Sequence, residues 1–433
     1  MKVKQDLRDL MCVAVPKGLS GVLQIAINFA LLRYLGPSEF GLLSVCVTAI
    51  ILSDAIISPP VDLGVLRLAP LDELEDPRAS VRLQKAALVF KLTALAALAV
   101  PIVFLPGLFS HLLFRQPGEA RLLYLTVLGI VGLGLLRSTQ THFQVSGRFA
   151  SFGVVDLGNS MLKYGGIALL LAYSAASPET ILAFHATVPL AVTAIVLLLL
   201  ARPLLFSKMR FVDVKRLWRV VKWYVATTAL GSLVSRIDVF IVSNMLGVAA
   251  AGILGAAYTF ALVPQLLGMY MSVVFSPRII RLWNQGTLAP VYYRYQRFLV
   301  ALAVLFYAVA WVGFPPLARW FLPPSYAATT GVFLALLPAM LCSLINFPWS
   351  IPFLLFLRPR FLLTLDCIGF PVLLLLYWRV IPSHGVLGAA VLTSIYSIVK
   401  TLVMQGAAIR ILKAGPGSGT TESAPASFPE WVK

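Results

Sequence analysis

The stretch "LGPSEFGLL" (Leu35–Leu43) separates two long apolar runs, and "LGVAAAGIL" (Leu246–Leu254) does the same at an offset of 211 (Leu35 to Leu246). Pairing the two predicts that helix one matches helix seven and helix two matches helix eight. An offset near 210 keeps working along the chain. "FLPGLF" (Phe104–Phe109) falls opposite "GFPPLA" (Gly313–Ala318). "GRF" (Gly147–Phe149), followed by Asp156, falls opposite "PRF" (Pro359–Phe361), followed by Asp366. Each copy holds an even number of helices, so both enter the membrane from the same side. That makes them parallel repeats about an axis along the membrane normal, an arrangement known from transporters.

Composition fixes the solvent. Of 433 residues, 59% are hydrophobic and 12% charged, about half the charged share of a water-soluble domain. Apolar runs of about 18–20 residues, enough to cross a bilayer, recur from end to end. About twelve membrane helices are expected, over 13–33, 41–66, 85–105, 119–140, 149–172, 180–201, 222–246, 249–276, 294–317, 327–350, 360–381 and 385–411. The first is too long, and lacks the cleavage pattern, for a removable signal peptide. The expected fold is therefore all-α and polytopic, with two parallel pseudo-symmetric six-helix bundles around a central cavity.

The net charge of +18 is a topology signal rather than a nucleic-acid footprint, because the cations form no single basic domain. With the N-terminus assigned to the cytoplasm, that terminus, the even-numbered loops and the tail hold about 25 of the 35 cations. The odd-numbered loops hold about five, including Arg115, Arg121, Arg319 and Arg379. This positive-inside bias places both termini in the cytoplasm. In "VKRLWRVVK" (Val214–Lys222), Val214, Leu217, Trp218 and Val221 share one helical face, and the cations Lys215, Arg216, Arg219 and Lys222 share the other. Such a segment is expected to lie on the membrane surface, attracted by anionic lipids. The domains follow: an N-terminal six-helix lobe over 1–201, a cytoplasmic amphipathic linker helix over 202–221, a C-terminal six-helix lobe over 222–411, and a disordered Gly/Pro/Ser-rich tail over 412–433.

No catalytic constellation stands out: no metal-ligand spacing, nucleophile elbow or phosphate-binding loop. Cys12, Cys46, Cys342 and Cys367 lie in apolar segments and read as small core residues. What remains is polarity at membrane depth, which costs roughly 2.5–3.5 kcal/mol per charge on insertion scales and is normally turned inward. Helix one carries Lys17, Ser20, Gln24 and Asn28 on one face; helix seven carries Thr228, Ser232, Ser235 and Arg236; helix five carries Asp156, Asn159 and Lys163. These stripes are expected to wall one cavity. Arg236, Lys163 and Lys400 fall near helix centres and are substrate-binding candidates, as are Lys17, Gln24, Asn28, Asn159, Ser232 and Ser235. Lys91 and Arg137 are expected to snorkel toward the cytoplasmic ends of their helices. Asp54 is central, either an H+- or Na+-responsive carboxylate or the partner of a cation on a neighbouring helix. Asp156 and Asp238 are further candidates for coupling or gating, and Asp156 and Asp366 are expected to sit beside Arg148 and Arg360. A cavity basic toward the cytoplasm suits a phosphate or pyrophosphate.

"RYLGPSEFGLLSV" (Arg33–Val45), "SRIDVFIVSNMLGVAAAGILGAAYTFA" (Ser235–Ala261) and "FSPRIIRLW" (Phe275–Trp283) resemble the polysaccharide transporter or O-antigen flippase family. That family belongs to the multidrug/oligosaccharidyl-lipid/polysaccharide flippase superfamily. The resemblance implies an inner-membrane carrier, without resident cofactor, for polyprenyl-pyrophosphate-linked oligosaccharide. It implies two lobes rocking around a central cavity, and polymerase and chain-length components of a polysaccharide export system as partners. Only Arg236 and its neighbours carry over, by position on helix seven. Related lipid II flippases usually have two further helices for the lipid tail, so an expectation of about twelve points away from that branch. A cation-coupled exporter of amphipathic molecules shares the fold. A glycosyl-transferring enzyme would need a larger external loop than 106–118.

Overall fold

The protein is described by a computed structural model covering residues 2–75, 77–116, 118–264, 282, 287–346 and 359–414. Among these residues all regular structure is helical: α1 (Lys2–Tyr34), α2 (Pro37–Glu75), α3 (Pro77–Phe104), α4 (Pro106–Phe114), α5 (Ala120–Val145), α6 (Phe149–Ala172), α7 (Pro178–Leu199), α8 (Arg202–Phe206), α9 (Phe211–Leu246), α10 (Val248–Pro264), α11 (Leu288–Phe321), α12 (Thr329–Asn346) and α13 (Pro359–Ala414). Nine of the described helices are long and apolar enough to cross a membrane. Adding α6, α10 and the second arm of α13 accounts for the twelve expected spans. The segment "FSPRIIRLW", apart from Leu282, and the tail from 415 onward lie outside the described residues.

Packing divides the chain into a unit over 1–255 and a second over 256–433. The repeat boundary and the packing boundary thus fall at different places, because α9 packs on α2 and α3 within the first unit. The expected linker over 202–221 divides into α8 and the first turns of α9, which continues unbroken into the following span. The first turns of α9 bury Leu217 and Val221 against Val61, Val65, Leu68, Ala69, Leu83 and Ala87. Gly64 admits this approach, since a Cβ there would stand 2.3 Å from Val221 Cγ1. The amphipathic stripe is covered by protein, and its cationic face, with half-exposed Trp218, is turned outward. A 3.6-residue stripe looks the same whether lipid or a neighbouring helix covers it.

α2 has 39 residues, or ~58 Å at 1.5 Å per residue, about twice the hydrocarbon thickness. Its far end therefore leaves the membrane and forms that bundle with α3 and α9. Pro59 and Pro60 interrupt it midway. Having no N–H, they leave the Ala55 and Ile56 carbonyls without their usual i+4 donors.

The opening repeat meets itself. A Cβ on Gly41 would stand 1.8 Å from the Val248 carbonyl oxygen, and one on Gly252 would stand 1.9 Å from the Pro37 carbonyl oxygen. Pro37 and Val248, like Gly41 and Gly252, are 211 apart, so the two contacts are one contact seen from each copy. Gly255 meets Ser44, again 211 apart, where a Cβ would be 2.2 Å from Oγ. α2 and α10 thus cross backbone to backbone, which only glycine permits. Beside them α4 covers the end of α9: Ser243 Oγ donates to the Leu113 carbonyl (2.5 Å) and Asn244 Nδ2 to that of Leu112 (2.8 Å).

In the second unit, α13 is a hairpin. Gly385 has φ 60° and ψ −149°, a region open essentially to glycine alone. The Tyr377 and Thr393 hydroxyls lie 2.7 Å apart, and Tyr396 Oη donates to Asp366 Oδ1 at 3.0 Å. Partners placed evenly about residue 385 require antiparallel arms, so the two expected helices 360–381 and 385–411 are both present. A second run of bonds ties the arms to α11 and α12: Tyr292 to Gln405, Gln405 Nε2 to Asn346 Oδ1 (2.9 Å) and Asn346 Nδ2 to Thr401 Oγ1 (2.6 Å). Cys46 and Cys342 are buried as expected, but Cys367 faces outward; an apolar helix in lipid does not distinguish its inner face by composition.

Candidate functional site

The polar groups of the first unit converge on α1, α2, α3, α5 and α6. Asp54, Ser58 and Asp62 lie at i, i+4 and i+8 on one face of α2. Arg137 Nε donates to Asp54 Oδ2 at 3.3 Å, and Lys91 Nζ to Asp62 Oδ1 at 2.5 Å. Arg137 Nη1 also reaches Gln140 Oε1 at 3.2 Å, and Gln140 Nε2 donates to Asp156 Oδ1 at 2.8 Å. A continuous chain, Asp54–Arg137–Gln140–Asp156, therefore joins α2, α5 and α6. Thr141 Oγ1 donates to the Arg137 carbonyl at 3.0 Å.

Lys91 and Arg137 do not snorkel as expected. α3 begins at Pro77, eight residues before the expected start, so Lys91 stands fourteen residues in. It is 1% exposed and held by Asp62. Arg137 is turned to Asp54, although its side chain keeps 42% exposure and opens the network to the surface. Asp54 is thus the partner of a cation on a neighbouring helix, one of its two expected roles. Asp156 is held by Gln140 rather than Arg148, which stacks 5.3 Å over the Phe143 ring.

α1 and α6 carry the two expected stripes and pack side by side. A Cβ on Gly153 would meet the Cys12 carbonyl oxygen at 2.2 Å and Pro16 Cγ at 2.9 Å, and Lys17 Nζ lies 5.2 Å over the Phe152 ring. Successive odd-numbered spans run parallel, so this anchor sets the register: Lys17 level with Asp156, Ser20 with Asn159, and Gln24 with Lys163. Lys17 is within electrostatic reach of both Asp156 and Arg137. Lys163 Nζ sits 4.5 Å over the Tyr164 ring. Asn28 lies one turn beyond Gln24 on α1.

Two of the three cations expected to make the interior basic have carboxylate partners, Arg137 with Asp54 and Lys91 with Asp62, while Asp156 is held by the neutral amide of Gln140. Among the described residues, Lys17 and Lys163 have no carboxylate within 4 Å. Four buried oxygens of this region lack a hydrogen-bond partner among the described residues: Ser20 Oγ, Asp54 Oδ1, Ser58 Oγ and Asn159 Oδ1.

The α9 stripe stands apart from this chain. Ser235 Oγ donates to the Ser232 carbonyl at 2.8 Å, and Asp238, 1% exposed, accepts the Val239 N–H at 2.9 Å. Arg236 is half-buried on the same helix. Lys400 lies in the second unit, bonded to Asp366 at 2.5 Å, so an interior carboxylate already holds it. Sequence reasoning passed over Gln140 and Asp62. Their signal is spacing: Gln140 lies one turn from Arg137, and Asp62 two turns from Asp54.

These features define an all-helical, multi-pass membrane protein with a hydrogen-bonded charge network at membrane depth. Several solved structures share the fold. One described as "Lipid II flippase MurJ, inward closed conformation" is similar with TM-score 0.72 and 14% identity, over 92% of this chain and 87% of that one. One described as "MATE in complex with MaL6" is similar with TM-score 0.66 and 11% identity, over 94% of this chain and 96% of that one. A transporter of the MOP superfamily from Pyrococcus furiosus, described as having a binding pocket of reverse polarity, is similar with TM-score 0.59 and 14% identity, over 94% and 96%. The chain belongs to the polysaccharide biosynthesis protein family, whose model matches residues 30–322. No curated protein matches it in sequence.

Proposed function

We propose that the protein is a flippase that moves a polyprenyl-pyrophosphate-linked oligosaccharide, such as an undecaprenyl-pyrophosphate conjugate, from the cytoplasmic to the periplasmic leaflet. It sits in the bacterial inner membrane with both termini cytoplasmic, serves surface polysaccharide export, and works by alternating access. A sugar–pyrophosphate headgroup cannot cross hydrocarbon alone, because its charges and hydroxyls would lose hydration. One observation carries the reading: Lys17 and Lys163 stand on adjacent helices at membrane depth without carboxylate partners, while the acids around them are already held by other groups. Two ammonium groups of this kind suit the two phosphates. Arg236 on α9 is assigned the same task, by its position on helix seven. Transport, not catalysis, is the protein's work.

A second reading, a cation-coupled exporter of small amphipathic molecules, draws on Asp54, whose Oδ1 is buried without a partner. Asp54, Asp156 and Asp238 are its candidates for coupling to H+ or Na+. Native mass spectrometry in mild detergent decides between the readings, with undecaprenyl-pyrophosphate oligosaccharide titrated against undecaprenyl phosphate and a cationic dye. Selective retention of the pyrophosphate lipid, weakened in Lys17→Ala, Lys163→Ala and Arg236→Ala, is the expected result. Preference for the dye would establish the exporter instead.

A further inference from the structure

We infer that Ser20, Asp54 and Asn159 form a subsite for the uncharged, hydroxyl-bearing sugar of the cargo, distinct from the lysines that take its phosphates; this rests on the flippase reading. The helix registers set the three at one level. α1 and α6 set Ser20 level with Asn159. α5 runs antiparallel to α6, so the Gln140–Asp156 bond sets Arg137 level with Asn159. Arg137 in turn bonds Asp54. Four helices thus place three side-chain oxygens at one depth: Ser20 Oγ, Asp54 Oδ1 and Asn159 Oδ1. All three are buried, and none has a partner.

The chemistry of these atoms selects the ligand. The carboxylate and amide oxygens only accept hydrogen bonds, and the hydroxyl both accepts and donates. Phosphate oxygens are acceptors and cannot satisfy the Asp54 and Asn159 oxygens. A sugar hydroxyl or acetamido N–H donates and can. A metal cation would also suit three oxygens, but charge argues against it. The Arg137 guanidinium already pairs with Asp54 and Lys91 with Asp62, so a further cation beside Arg137 would add an uncompensated buried charge. A neutral polyol adds none. Access is available through half-exposed Arg137, and Lys163 stands one helical turn beyond Asn159, within one headgroup of the subsite.

The test compares two probes on detergent-purified full-length protein: undecaprenyl pyrophosphate and undecaprenyl-pyrophosphoryl-N-acetylglucosamine. The wild type is expected to hold the sugar-bearing lipid about tenfold more tightly, the yield of one or two good hydrogen bonds. In Ser20→Ala/Asn159→Ala the ratio should fall to about one, with binding of the sugar-free lipid unchanged as the control for folding. Ser20→Ala alone, which removes one oxygen, serves if the double variant loses the sugar-free lipid, and should lower the ratio part-way. A wild-type ratio of one, or a ratio preserved in the variants, would mean that the oxygens hold ordered water only and would overturn the subsite. Binding that requires Na+ over K+, lost in the double variant, would give the site to a cation and overturn it too. Failure of the wild type to bind either lipid would retire the flippase reading itself.

Discussion

Asp156 and Asp366 occupy corresponding positions in the two copies of the repeat, 210 residues apart and each shortly after an Arg-Phe pair, yet they are held by different chemistry. Asp156 accepts from the neutral amide of Gln140 and belongs to a chain that ends on orphaned oxygens. Asp366 accepts from the Lys400 ammonium and the Tyr396 hydroxyl, both on the opposite arm of the same hairpin. One copy has closed its carboxylate into a strut; the other keeps its own in an open network. Equal placement in a repeat therefore fixes where a charge sits, and the neighbouring helix decides whether it supports the fold or meets a ligand.

The sharpest way to break this contrast is to remove the two acids in turn. Asp366→Ala should cost about 3–5 kcal/mol, because it strands the Lys400 ammonium in the interior. Asp156→Ala should cost about 1–2 kcal/mol, since only an amide loses its partner. Thermal unfolding in detergent reads both, and equal losses would erase the distinction. Next comes the deepest ion pair. Lys91→Met should cost about 3 kcal/mol by leaving Asp62 uncompensated, and adding Asp62→Leu should restore most of it. Failure of the double variant to recover would show that the pair does more than neutralise itself.

The crossing of the repeats tests symmetry directly. Gly41→Val and Gly252→Val should each cost about 1–3 kcal/mol by overpacking, with nearly the same loss, because each drives a side chain into the other copy's backbone. A large difference would show that the two sides relax unequally. The smallest effect is expected at the open end of the network. Asn159→Leu should be neutral or stabilising by up to about 1 kcal/mol, since it deletes a buried acceptor that has no partner. A clear loss of stability would show that Asn159 is structural.

Much of this was readable from residues alone. Nine of the described helices follow from apolar length, and the repeat offset holds to the residue where Gly41 and Gly252 meet. Partner choice was not readable. The pairing of Arg137 with Asp54 depends on which helices are neighbours, and a sequence gives positions along helices but not their order around a bundle. Lys91 was misplaced for a simpler reason: α3 continues eight residues beyond the apolar run, so depth judged from hydropathy put it too near the end. The cover of Leu217 and Val221 failed in the same way, since periodicity marks an apolar face without saying what lies against it. Lys400 shows the converse, for its central position was legible and its carboxylate was not.

Gly41 against Val248 and Gly252 against Pro37 are a single contact written twice, as at the axis of a homodimer whose protomers have been joined in one chain. Elsewhere the copies are free to differ, as Asp156 and Asp366 do in their surroundings. At the axis they are not. A side chain gained in one copy collides with the backbone of the other, so the two glycines constrain one another across the crossing.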